Sequence, residues 1–78
     1  MPTVLRIGPY RFHFYSDERG EPPHIHVRSS DGECKFWLGP IVLAKNRGLA
    51  PHKLRDVERL VYENQDLLKE RYDEYHRS

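Results

Sequence analysis

The spacing of apolar residues changes once along this chain of 78 residues, at Pro51. Before Pro51, apolar and polar side chains alternate, as in strands with one buried face. After it, apolar residues recur every three or four positions, as on one side of a helix. This pattern predicts an α+β fold, with residues 3–50 in an antiparallel sheet of two β-hairpins and residues 51–76 in one C-terminal helix. A chain this short is expected to hold a single domain, 1–78.

The first hairpin is predicted from Gly8-Pro9, which interrupts the alternation and suits a two-residue loop. That loop places Ile7 opposite Tyr10 and Arg6 opposite Arg11. Directly opposed arginines repel each other, so this pair indicates that something anionic offsets their charge.

The second hairpin is predicted from Asp31-Gly32, the strongest short turn signal in the chain. A turn at these two residues sets Val27 against Phe36 and Ser29 against Cys34. The next apolar run, Ile41-Val42-Leu43-Ala44, is interpreted as a short extra strand, with an extended connection as the alternative. The segment Lys45-Asn46-Arg47-Gly48 then reads as a tight basic turn that can clamp a phosphate or simply be solvated.

Alternation also divides the strands into two faces. The inward face, which the helix is expected to cover, holds Leu5, Ile7, Phe12, Phe14, Ile25, Val27, Phe36 and Leu38. The opposite side, called the outward face below, holds Arg6, Arg11, His13, His24, His26, Arg28, Lys35 and Trp37, with Glu33 as its only carboxylate. One side of the sheet is therefore expected to face solvent or a partner.

The outward face concentrates positive charge in a chain whose formal net charge is only +1. A tryptophan among Arg and Lys is typical of a surface that stacks a base while the cations contact phosphates. The candidate residues for binding nucleic acid or a partner protein are Arg6, Arg11, His24, His26, Arg28, Lys35, Trp37, Lys45 and Arg47. An ordinary solvated face is the alternative, and Trp37 then packs under the extra strand or at a homodimer seam.

His24 and His26 point the same way on one strand, about 7 Å apart. Both imidazoles can then reach one divalent metal ion, with Glu21 or His13 as a third ligand. The same pair can serve as general acid and base in phosphodiester cleavage. Histidine triad hydrolases are excluded, because the third position of that triad is Arg28 here.

Cysteine count and hydropathy limit the class of protein further. The single cysteine, Cys34, excludes an intrachain disulfide and a four-cysteine zinc site, which favours a reducing, cytoplasmic location. The stretch 1–6 reaches a charged residue too early for the apolar core of a signal peptide, and no apolar run is long enough to span a bilayer. Apart from the metal alternative, no cofactor is expected.

Several segments together resemble a known family. They are Met1-Pro2-Thr3-Val4-Leu5-Arg6, Gly20-Glu21-Pro22-Pro23-His24-Ile25-His26-Val27, Lys35-Phe36-Trp37-Leu38 and Leu43-Ala44-Lys45-Asn46-Arg47-Gly48, and they are similar to the bacterial domain of unknown function 4160. The resemblance implies a small bacterial protein of unassigned activity, often encoded beside a second small protein that resembles domain of unknown function 2442. Such a pair implies a toxin–antitoxin or regulatory module. His13 departs from the aromatic residue expected at that position.

Three functions follow as hypotheses. The first is a non-enzymatic binding or regulatory module whose outward face holds nucleic acid or an acidic partner protein. The second is a small nuclease-like toxin, or a metal-binding protein, that depends on His24 and His26. The third is one half of a complex, in which the face or an edge of the sheet pairs with the neighbouring gene product.

Overall fold

The computed structural model describes residues 3–15 and 20–76. Its sheet has five antiparallel strands whose spatial order equals their order in the chain: β1 Thr3–Ile7, β2 Tyr10–His13, β3 His24–Ser29, β4 Gly32–Leu38 and β5 Ile41–Arg47. Two helices follow, α1 Pro51–Glu63 and α2 Gln65–His76. The predicted α+β class is confirmed, and the extra strand is present.

The first hairpin has the predicted register, with Ile7 opposite Tyr10 and Arg6 opposite Arg11. Gly8 in its loop has a φ of 56°, in the left-handed region that favours glycine. This loop conformation lets the chain reverse direction between β1 and β2, so that the two strands pair in the predicted register.

The register predicted for the second hairpin is wrong by two residues. Val27 lies opposite Cys34, and Ser29 lies opposite Gly32, so that residues 30 and 31 form the loop. Gly32 belongs to β4, where a β-carbon would overlap the carbonyl oxygen of Arg47. Its lack of a side chain serves this close approach rather than a turn. Because strand side chains repeat every two residues, the shift leaves the inward and outward faces as predicted.

The basic turn predicted at residues 45–48 is also wrong in its first part. Lys45 and Arg47 lie in β5, opposite Lys35 and Glu33 of β4. The apolar run ends at Ala44, but the strand continues through three polar residues, of which Lys45 and Arg47 lie on the outward face.

The chain turns into α1 only after β5. Asn46 accepts a hydrogen bond from the Leu49 N–H and donates one to the Leu49 carbonyl oxygen, at 3.1 and 3.0 Å. Gly48 has a φ of 94°, and its backbone passes close to that of Asp31. Pro51 then occupies the start of α1, where its missing N–H costs nothing.

The predicted C-terminal helix is present in two segments that meet at Asn64. The Asn64 side chain donates a 2.8 Å hydrogen bond to the Leu60 carbonyl oxygen, and its φ of −116° leaves the helical region. Asparagine competes in this way for local backbone groups, which explains the break. No helix in the described residues is long and apolar enough to cross a membrane.

Both helices cover the inward face. Their buried side chains are Val57, Leu60, Val61, Leu68 and Tyr72. On the sheet, the buried apolar residues are Tyr10, Phe12, Phe14, Ile25, Val27, Cys34, Phe36, Leu38 and Ile41. This single core fixes which side of the sheet remains for binding.

Candidate nucleic-acid interface

The outward face carries charged side chains in rows that run across the strands. The first, called here the arginine row, consists of Arg6, Arg11, Arg28, Glu33 and Arg47, one from each of the five strands and each opposite the next. Four of its five members are cations. Like charges that lie directly opposite each other destabilise a sheet, so this row is unfavourable unless an anion is bound to it.

A second row, the histidine–lysine row, lies beside the first. It consists of His13, His26, Lys35 and Lys45 on β2 to β5. The strand order thus places His13 next to His26, with their rings stacked at 5.6 Å between centroids. Lys35 and Lys45 form another opposed pair of like charges.

The Glu33 carboxylate joins the two rows. Its Oε2 accepts a 2.7 Å hydrogen bond from the Tyr15 hydroxyl and lies 3.3 Å from His13 Nε2 and 3.5 Å from His26 Nδ1. Its Oε1 lies 3.3 Å from Arg28 Nη2. These five residues, Tyr15, His13, His26, Arg28 and Glu33, are called the Glu33 cluster below.

Burial and charge act against each other in the Glu33 cluster. Burial raises the pKa of Glu33, but the Tyr15 hydrogen bond and the electrostatic effect of the His13, Arg28 and His26 side chains outweigh it, and the net pKa is lowered. Burial lowers the pKa of His13, although Glu33 opposes this effect. Near neutral pH the cluster therefore holds an ionised carboxylate beside a neutral His13 imidazole.

His13 should make the protein sensitive to acid. Its folded-state pKa lies below the ordinary 6.5, so the unfolded chain binds the proton first as the pH falls. The stability that the neutral, buried imidazole gives is present above pH 6.5 and is lost as the pH falls towards the folded-state pKa. Denaturant titrations of wild type at several pH values should show the free energy of unfolding decreasing there, by at most about 1.4 kcal/mol per pH unit from this group.

The variant His13→Phe should remove this contribution, because phenylalanine keeps the aromatic packing and cannot be protonated. As the pH is lowered from 6.5, its free energy of unfolding should fall less than that of wild type. His52→Gln, at an exposed position on α1, is the matched control and should keep the wild-type dependence. Equal pH dependence in His13→Phe and wild type would contradict the assignment.

His24 has a structural position rather than an accessible one. It is fully buried, and its Nδ1 donates to the Pro22 carbonyl oxygen at 2.8 Å. Its ring lies edge-on to Trp37, 5.9 Å away, and contacts Tyr72 of α2 at 5.8 Å. The Pro22-Pro23 segment thus leads into β3, and the hydrogen bond from His24, the first residue of that strand, holds this segment against the sheet.

Glu21 lies with Lys35 instead of with the histidines. The Glu21 carboxylate forms an ion pair with Lys35, and its carbonyl oxygen accepts a 3.0 Å hydrogen bond from the Tyr72 hydroxyl. Lys35 Nζ also lies 4.6 Å from the centre of the half-buried Trp37 ring. Within residues 3–15 and 20–76, no three His, Cys, Asp or Glu side chains are grouped to hold a metal ion, and metal binding stays a prediction.

Cavities open on this side of the sheet at the Glu33 cluster and at Trp37. One, of about 270 Å³, lies at the Glu33 cluster and is lined by Tyr15, His26, Glu33, Cys34, Lys35, Lys45 and Arg47. The other, of about 300 Å³, is mainly apolar and is lined by Pro22, Pro23, Trp37, Gly39, Pro40 and Val42. Burial raises the pKa of the Cys34 thiol to about 12, so this cysteine is not a nucleophile at neutral pH.

The candidate binding residues therefore divide into groups. Four arginines lie in the arginine row, His26 and both lysines lie in the histidine–lysine row, Trp37 lines the apolar cavity, and His24 is enclosed by the fold. Sequence reasoning did not select Tyr15 or Glu33. Tyr15 continues the outward alternation of Arg11 and His13, and Glu33 was the lone carboxylate among cations, so both carried a signal.

Comparison with known proteins gives a family and no activity. A family model with the description Domain of unknown function (DUF4160) matches residues 10–73. The searches of curated proteins and of solved structures each found no match. The matched range includes every strand except β1 and nearly all of both helices.

Proposed function

Since the chain belongs to the family described as Domain of unknown function (DUF4160), a description that assigns no activity, we propose a function from its own residues. The outward face of the sheet binds single-stranded nucleic acid. The protein is then a small binding module, and its partnership with a protein resembling domain of unknown function 2442 remains a separate prediction.

The arginine row is the observation that carries this proposal. Arg6, Arg11 and Arg28 stand side by side on three adjacent strands, and the described strands place no carboxylate between them. Each opposed pair repels, and a bound chain of phosphates turns that repulsion into attraction. Glu33 follows next in the row and contacts only Arg28 among these three.

The dimensions of the row suit a polyanion. Neighbouring strands lie about 4.8 Å apart, so five strands span about 19 Å. That length reaches several successive phosphates of one nucleic-acid strand. A row of cations with this regular repeat suits a repeating backbone better than it suits the scattered carboxylates of a folded protein.

The apolar cavity at Trp37 supplies the second requirement of single-strand binding. An unpaired base needs an apolar or aromatic surface in place of its lost stacking partner. Trp37, Pro22, Pro23 and Pro40 form such a surface beside the histidine–lysine row. Lys35, whose Nζ lies 4.6 Å from the centre of the tryptophan ring, contacts the adjoining phosphate in this proposal.

To test this proposal, the protein is titrated into fluorescently labelled single-stranded oligonucleotides at several salt concentrations, and binding is measured by fluorescence anisotropy. Wild type should bind with an affinity that falls as salt rises. In the triple variant Arg6→Gln, Arg11→Gln, Arg28→Gln, the slope of log K against log salt should decrease by about 2, because about 0.7 counterion is released for each phosphate contact in a single strand. Loss of affinity should accompany this decrease.

The matched control changes the same net charge on the helices. In the triple variant Arg55→Gln, Arg59→Gln, Arg71→Gln, three exposed arginines on α1 and α2 are neutralised, and binding should stay near that of wild type. Equal loss in both triple variants would mean that bulk charge, not the face, attracts the oligonucleotide. No binding at low salt, or equally good competition by polyglutamate, would overturn the proposal, the latter in favour of an acidic protein partner.

A further inference from the structure

The cavity at the Glu33 cluster is lined by a carboxylate, that of Glu33, which the binding of a phosphate does not require. Lys35, Lys45 and Arg47 surround it with positive charge, yet the Glu33 carboxylate lines the same space. An anion-binding cavity without Glu33 would hold phosphate more strongly. The Glu33 side chain keeps 19% of its surface exposed, so it is not simply enclosed as a structural ion.

The neighbours of Glu33 are those that acid–base chemistry uses. Tyr15 donates to Oε2 and fixes the orientation of the carboxylate, while His26 approaches the same oxygen at 3.5 Å. Glu33 and His26 both line the cavity, so a single phosphodiester within it can contact both groups. His13, which is 1% exposed, does not line the cavity and acts as a positioning residue behind them.

We propose that this cavity is a catalytic site for cleavage of RNA by transphosphorylation, with Glu33 as general base and His26 as general acid. The inference rests on the proposed binding of nucleic acid and names its substrate class. DNA is bound by the same face but is not cleaved, because it has no 2′-hydroxyl group.

The reaction needs no co-reactant beyond the RNA chain. The Glu33 carboxylate takes the proton of a ribose 2′-hydroxyl as the 2′ oxygen forms a bond to the adjacent phosphorus. The bond from phosphorus to the 5′ oxygen of the next nucleotide breaks, and that oxygen takes a proton from the His26 imidazolium. The products are a 2′,3′-cyclic phosphate and a 5′-hydroxyl. Proton exchange with water restores both side chains.

The basic residues of the cavity have a separate task. In the transition state, negative charge grows on the non-bridging oxygens of the phosphate. Lys45 and Arg47 lie on the edge strand β5, opposite Lys35 and Glu33, and line the cavity. They stabilise that charge, whereas Arg6, Arg11 and Arg28 hold the flanking backbone.

The experiment follows a labelled RNA oligonucleotide with purified protein and analyses the ends that form. Wild type should release a 2′,3′-cyclic phosphate, and a single 2′-deoxy substitution should block cleavage at that position. Glu33→Gln should cleave at least about 100-fold more slowly. It should still bind an all-DNA oligonucleotide of the same sequence, which reports both on folding and on the binding face.

A second variant and two controls keep the outcome decisive. His26→Gln should also lose at least about 100-fold in rate. Glu58→Gln and His52→Gln, at exposed positions on α1, should cleave like wild type. These controls change the same residue types outside the cavity, and loss of cleavage confined to Glu33→Gln and His26→Gln excludes a contaminating ribonuclease.

Failure of the catalytic inference is distinguishable from failure of the proposed function. Wild type that binds DNA and RNA but cleaves neither overturns catalysis and leaves binding intact. Absence of binding overturns both. Equal cleavage by wild type and Glu33→Gln, or cleavage at the 2′-deoxy position, overturns the assignment of the site.

Discussion

The variant Phe36→Ala should lower the free energy of unfolding by about 4 kcal/mol. Phe36 lies on β4, between β3 and β5, and its side chain is 2% exposed in the core beneath the helices. Truncation removes the buried ring and leaves a cavity that the surrounding sheet cannot close. Because small domains have only about 5–15 kcal/mol of stability, we expect a large shift of the urea midpoint measured by circular dichroism.

Phe36→Leu is the matched control. It keeps an apolar side chain of intermediate volume and should cost about 1 kcal/mol. If the alanine and leucine variants unfold at the same urea concentration, the ring does not fill the core as the structure indicates.

The second large effect is expected from Gly32→Ala, which should cost about 3 kcal/mol. A β-carbon at Gly32 overlaps the backbone carbonyl of Arg47, and the Gly48 Cα lies 3.0 Å away. Backbone atoms cannot rotate aside as a side chain can, so β4 and the end of β5 must separate. Thermal unfolding should show a midpoint lowered by roughly 15 °C for a domain of this size.

Gly20→Ala tests whether that loss is specific. Nothing lies within 4 Å of a β-carbon built at Gly20, and its φ is not positive, so the free energy of unfolding should change by less than about 0.5 kcal/mol. A similar loss in both variants would show that glycine itself, and not the close approach at Gly32, determines the effect.

The face on which a strand side chain lies and the residue opposite it depend on different properties of the sequence. Faces were predicted correctly because they depend only on the period of two, which survives a register error of an even number of residues. In the second hairpin the opposed residues were not, because they depend on which residues form the loop. The predicted turn placed Arg28 opposite Lys35, whereas the structure places it opposite Glu33. That difference creates the Glu33 cluster.

Strand order and side-chain burial could not be predicted from the sequence, because both depend on contacts between segments that are distant in the chain. Nothing local to residues 10–15 specifies that β2 lies beside β3, so the contact between His13 and His26 depends on the folded sheet. Burial of His13 on a face predicted to be open also depends on Tyr15, whose ring lies edge-on at 5.0 Å. The alternation of apolar and polar residues indicates on which face of the sheet a side chain lies, but it does not indicate which other side chains cover it.

The strand order has a further consequence for how the protein reaches its folded state. Each strand pairs with strands adjacent in the chain, so every step of sheet formation closes a short loop and loses little chain entropy. Among β-rich domains, those whose contacts are local in sequence fold faster than those with many long-range contacts. No strand of the sheet therefore has to wait for a partner from the far end of the chain.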